Sequence, residues 1–143
     1  MNDKITMHYQ VPADDFTRAG EASSSVKSKL KMMGVKPEII RKVAIAMYEG
    51  EINMVIHASG GTIDVTVSQE EITIVLKDQG PGIEDIDQAM RAGFSTAPDN
   101  IRALGFGAGM GLPNMKKYTD ELIIDSEIGK GTTVTMKVKL PTD

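Results

Sequence analysis

Three short motifs in fixed order constrain this chain more than any other feature. They are Glu49-Gly50-Glu51-Ile52-Asn53-Met54-Val55-Ile56-His57, Asp78-Gln79-Gly80-Pro81-Gly82-Ile83 and Gly105-Phe106-Gly107-Ala108-Gly109-Met110-Gly111-Leu112. A fold that uses all three must gather a helical carboxylate and amide, an acidic turn and a glycine loop. Each piece alone is ambiguous; the ordered set is far more specific.

The periodicity around the motifs says which elements carry them. Ile5, Met7, Tyr9 and Val11 alternate as one side of a half-buried strand that Pro12 ends. Asp14 or Asp15 is expected to cap a helix through Phe16, Ala19, Ala22, Val26 and Leu30, ending near Gly34. A second helix starts near Lys36-Pro37-Glu38, with Pro in a permitted first-turn position, and stops before Gly60-Gly61. It is apolar nearly all round, which marks it as the central helix of the core. Residues 62–67 and 72–76 read as a hairpin, as do 122–124 and 132–140 around Gly129-Lys130-Gly131. Short helices are expected at 83–90 and 112–118, the latter with Pro113 near its start. Residues 91–110 have no sustained period, the pattern of a functional lid. The order β-α-α-β-β-α-lid-α-β-β predicts one domain over 1–143. It is an α/β two-layer sandwich, with helices on one face of a mixed, mostly antiparallel sheet.

Composition narrows the function classes. A chain of 143 residues with 41% hydrophobic and 25% charged residues is an ordinary globular one. No apolar run reaches the ~20 residues that cross a bilayer, and no leader precedes Met1-Asn2-Asp3-Lys4, so a cytoplasmic protein without membrane contact is expected. Without cysteine there are no disulfides, thiolate zinc sites or thiol catalysis. A net charge of −4 argues against nucleic acid as a direct partner. His8 and His57 have no metal-ligand spacing.

Glu49 and Asn53, four residues apart, project from one helical face, and His57 continues that stripe as a helix-end residue. An Asn carbonyl is a suitable hard ligand for Mg²⁺, and a carboxylate one turn away can accept a proton from a hydroxyl. A solvent-facing stripe is the alternative. Glu51, two residues from Glu49, points elsewhere and is expected in solvent. Gly50 costs a helix about 1 kcal/mol relative to Ala, which a close approach of another backbone or a ligand would rationalise. Asp78 at a strand end can accept from an exocyclic amine such as adenine offers, with Gly80 and Gly82 leaving room for a flat ring. Alone, this is also an ordinary turn. The alternating glycines at 105–111 lead into a helix and suit phosphate, although no Walker lysine follows; alone, they are also a surface loop.

Taken together, the three motifs resemble the N-box, G1 box and G2 box of the GHKL (Bergerat) ATP-binding superfamily. Within it, Ala46-Met47-Tyr48-Glu49, Asn53 to Ala58, Phe94-Ser95-Thr96-Ala97-Pro98, Met115, Asp120-Glu121-Leu122, Ser126-Glu127 and Gly129 to Val134 resemble the bacterial anti-sigma-factor serine/threonine kinases. Gly109-Met110-Gly111-Leu112-Pro113 is similar to the switch-kinase branch. The resemblance, from about residue 5 to residue 140, implies ATP and Mg²⁺ as cofactors, with Glu49 as general base and Asn53 holding the metal. It implies that Asp78 contacts adenine, with Gly80, Gly82 and Ile83 around the ring and Thr132 supporting Asp78 or a nearby water. It also implies that Gly107, Ala108, Gly109, Met110, Gly111 and Leu112 hold the phosphates, while Ser95 and Thr96 move with a lid at 91–110. The implied partners are a STAS-domain antagonist phosphorylated on Ser or Thr and a sigma factor, and the family admits a homodimer. Gly50, Glu51 and Gly107 depart from the family pattern, which bears on turnover more than on nucleotide binding. A nucleotide-gated binding module without catalysis is the main alternative. A sensor histidine kinase fragment is disfavoured, because neither early helix carries a phospho-accepting histidine.

Overall fold

The computed structural model describes residues 4–11, 20–57, 60–78, 111–127 and 129–141. The elements are β1 (Ile5–Val11), α1 (Glu21–Met32), α2 (Pro37–His57), β2 (Gly61–Val67), β3 (Glu71–Asp78), α3 (Gly111–Lys117), β4 (Glu121–Glu127) and β5 (Gly131–Lys139). The expected helix at 83–90 and the lid at 91–110 lie outside the described residues.

One sheet of order β1-β2-β3-β5-β4 forms, and every pairing among the described strands is antiparallel rather than mixed. Topology explains this. The helices α1 and α2 go out and back, so β2 starts where β1 stopped, with Gly61 opposite Val11. The pairs β2–β3 and β4–β5 are the two hairpins that alternation and turn residues predict. In the first, the Ser68 hydroxyl accepts from the Glu70 and Glu71 amides and so closes the turn.

Alternation sets the register because a one-residue slip would turn the apolar set outward. Met7, Val65, Ile74, Met136 and Leu122 form one row across all five strands. Tyr9, Ile63, Leu76, Val134 and Ile124 form the next. Helices cover this face: a Cβ on Gly50 of α2 would lie 2.5 Å from Leu76 Cδ2, and one on Gly61 would lie 2.5 Å from Met54 Cε. The close approach expected at Gly50 is therefore that of a core side chain from β3. Met7, Met47, Met54, Met115 and Met136 fill the core, as their flexible thioethers suit, while Met32 is 87% exposed.

The start of α1 differs from expectation. A helix through Ala22, Val26 and Leu30 cannot begin at Asp14 or Asp15, because Gly20 has φ 97°, outside the helical region, and is itself the N-cap. The Ser24 amide donates to the Gly20 carbonyl as the first helical bond. Gly20 has no side chain with which to cap, so the amides of this helix end need partners from elsewhere.

Candidate functional site

The helix α2 carries two stripes of four-residue spacing with different fates. Val43, Met47, Glu51 and Val55 are all buried, whereas Ile45, Glu49 and Asn53 are half-buried along a more open face. The first stripe knits the helix into the core. The second presents Glu49 and Asn53 together, one turn apart.

Burial pushes the Glu49 carboxyl above the usual carboxylate range, and a side-chain hydrogen bond with Asn114 of α3 acts in the opposite direction. Burial likewise raises the neighbouring Tyr48 phenol, with the Glu49 and Glu51 charges adding to it. Glu49 lines an open cleft of about 630 Å³ between α1 and α2, whose walls include Glu21, Ser23, Ser24 and Lys27 on one side and Ile45 and Tyr48 on the other. A carboxylate so placed, with Asn114 beside it, can take a proton from a group entering the cleft.

The strand ends build a second cluster. Asp78, Thr132 and Ser126 stand in one row across β3, β5 and β4. The Thr132 amide donates to Asp78 Oδ1 at 3.2 Å, and the Ser126 and Thr132 hydroxyls are 2.8 Å apart. Gly61 lets β2 press against this end: a Cβ there would lie 2.3 Å from the Lys77 carbonyl oxygen and 3.1 Å from the Asp78 Cα. An oriented carboxylate at a strand end can accept from the amine edge of a base.

Gly80, Gly82, Ile83, Ser95, Thr96, Gly107, Ala108, Gly109 and Met110 lie outside the described residues, while Gly111 and Leu112 form the first turn of α3.

Glu51 overturns its expectation. It is 2% exposed, not solvated, and its carboxylate caps α1 from across the helix pair. Its Oε2 accepts from the Gly20 amide at 2.8 Å and from the Ala22 amide at 3.3 Å. Its Oε1 accepts from the Ser23 amide at 3.0 Å and from the Ser23 hydroxyl at 2.7 Å. A charge this buried is tolerated because its lone pairs are used and it faces the positive end of a helix. The missed signal was the spacing 43-47-51-55, which puts Glu51 on a core stripe. Asn114, Ser23 and Ser126 were missed as well, because their partners are remote in sequence.

Comparison with known proteins bears on family and fold. Residues 41–142 match the family described as histidine kinase-, DNA gyrase B- and HSP90-like ATPase. The chain is 37% identical over 107 residues to an anti-sigma F factor of Clostridium acetobutylicum, covering 71% of each chain. It is 34% identical over 125 residues to an anti-sigma F factor of Clostridium novyi, covering 83% of this chain and 84% of that one. The structure of the RsbU and RsbW domains of a Mycobacterium tuberculosis protein shares the fold, with a TM-score of 0.66 at 16% identity over 97% of this chain and 33% of that one. The family match and these relatives settle the lineage: the chain belongs to the histidine kinase-, DNA gyrase B- and HSP90-like ATPase family, in its anti-sigma factor branch.

Proposed function

We propose that this protein is an anti-sigma-type serine/threonine kinase that uses Mg-ATP to phosphorylate a STAS-domain antagonist. The observation that carries the reading is Glu49, half-buried in the α1–α2 cleft with its carboxyl raised, one turn from Asn53. Bound Mg-ATP supplies the phosphoryl group and the charge that stabilises its transfer. The chain's residues have simpler tasks. Asp78, steadied by the Thr132 amide, accepts from the adenine amine. Asn53 would offer one hard oxygen to the metal. Glu49 would accept the proton of the acceptor hydroxyl as that oxygen bonds to the γ-phosphorus and the bond from the γ-phosphorus to the bridging oxygen breaks, with ADP as the leaving group; Asn114 lies beside this carboxylate. Gly107 to Leu112 are assigned to the phosphates, and residues 91–110 to the lid, within a single domain over 1–143.

Gly50 and Glu51, which depart from the family pattern, are accounted for by packing against Leu76 and by the cap on α1, so neither argues against turnover. No helix among the described residues is long and apolar enough to cross a membrane. We assign the protein to the cytoplasm, where such a partner and a sigma factor would meet it; the family also admits a homodimer.

The test is incubation with Mg²⁺ and γ-labelled ATP, with and without a purified STAS-domain antagonist. Label on a Ser or Thr of the antagonist, lost in Glu49→Ala while ATP binding persists, supports the kinase. The relatives' names describe opposition to a sigma factor, which favours a second reading, a nucleotide-gated module that sequesters its partner by contact. Under that reading the antagonist binds with ATP present and is never labelled.

A further inference from the structure

Glu49 and Glu51 sit two residues apart on α2, and both border α1. Glu49 faces the cleft, and Glu51 is seated in the amino end of α1, which is the cleft's other wall. The cleft residues Gly20 and Ser23 are the ones whose backbone amides Glu51 holds, and Ser24 and Lys27 follow on the next turn. Tyr48 closes the junction: a Cβ on Gly20 would lie 3.0 Å from its Cε1, so the turn at Gly20 is packed between Tyr48 and the Glu51 carboxylate. The amino end of α1 has no side-chain cap from its own residue 20, so its position depends on α2.

We infer that Glu51 is a positioning residue: by capping α1 it fixes that helix as the wall of the cleft in which Glu49 meets the protein acceptor. The inference rests on the kinase reading above. Because the cap and the base share one rigid stretch of helix, the Glu51 bonds, together with the buried Ala22, Val26 and Leu30 of α1, fix the distance from the wall to Glu49. This wall bounds the cleft that Glu49 lines, so a shift of α1 is expected to change the burial that raises the Glu49 carboxyl. Cap strength thus translates into acceptor geometry.

The test uses the full chain and two variants. Glu51→Gln keeps the shape but turns an amide N–H₂ toward donors, and Ser23→Ala removes only the 2.7 Å hydroxyl bond. Two readouts are taken below each variant's unfolding temperature: the NMR titration of the Glu49 carboxyl and the steady-state phosphorylation of a STAS-domain antagonist. In Glu51→Gln the Glu49 titration is expected to fall toward the ordinary carboxylate range. The acceptor kcat/KM should drop about tenfold or more, with ATP affinity held within about twofold. Ser23→Ala should move both readouts in the same direction by less. A Glu49 titration and acceptor kinetics identical to wild type in the folded variants, with only the melting temperature lowered, would overturn the inference and leave Glu51 as a structural cap. If Glu51→Gln does not fold, Ser23→Ala decides. If the wild type labels no acceptor, the kinase reading fails, and the Glu49 titration still decides whether the cap sets the cleft.

Discussion

At the scale of single residues, α2 carries two features whose energetic signs differ from what helix rules alone suggest. Burial raises Glu49, so the folded protein holds that proton more tightly than the unfolded chain does. Below the ordinary carboxylate range both states are protonated and the group costs nothing. As pH rises through the ordinary value and then the raised one, ionising the buried carboxyl removes stability, and the loss is complete above the raised value. Glu49→Gln should therefore melt close to wild type in acid and above it at neutral pH, while phosphoryl transfer is lost throughout. A melting difference that stays flat with pH would show that burial does not set the carboxyl. Gly50 works the other way. Gly50→Ala improves helix propensity by about 1 kcal/mol, but overpacking costs about 1–3 kcal/mol, and the new Cβ meets Leu76 Cδ2 at 2.5 Å and Met115 Sδ at 3.4 Å. A net loss of about 1 kcal/mol is expected by urea unfolding. In a Leu76→Ala background the same change should become stabilising, because only the propensity gain is left.

At the scale of elements, the lesson concerns which contacts a sequence can announce. The strands and both hairpins were legible because burial on one face forces alternation, and Ile72, Ile74 and Leu76 are buried as the pattern requires. The extent of α2 was legible from its length and from Pro37. The cap on α1 was not, since no capping side chain stands at its start: the turn residue is Gly20 and the acceptor comes from Glu51, 31 residues away. The pair of Glu49 with Asn114 is hidden in the same way, joining α2 to a seven-residue α3 that docks through the buried Met115. That contact has a testable consequence. The Asn114 hydrogen bond favours the charged carboxylate, so Asn114→Leu, which keeps the site apolar but removes the donor, should raise the Glu49 titration further. The acid limb of the transfer rate should move to higher pH with it. An unmoved limb would mean that α3 does not orient the base.

At the scale of the whole molecule, the site divides between the two layers of the fold. The helix layer owns Glu49 and Asn53, and the sheet owns Asp78, which is held by Thr132 in a row that reaches Ser126 on the edge strand. A nucleotide that spans both layers must tie them together, so its binding free energy becomes stability of the whole domain. At about a hundred times its dissociation constant it adds about 2.7 kcal/mol, read as a rise in melting temperature. The two carboxylates should then separate cleanly. With Asp78 as the proposed acceptor for the adenine amine, Asp78→Ala should abolish most of the ATP-dependent rise, although Thr132 and Ser126 keep their own contact. Glu49→Gln, under the proposed roles, leaves the nucleotide contacts in place and should retain the rise with transfer gone. Ser126→Ala should fall between, because it loosens the Thr132 hydroxyl and leaves the amide on Asp78 in place. An ATP-dependent rise that survives Asp78→Ala at wild-type size would remove adenine from the sheet end and break the division of labour between the layers.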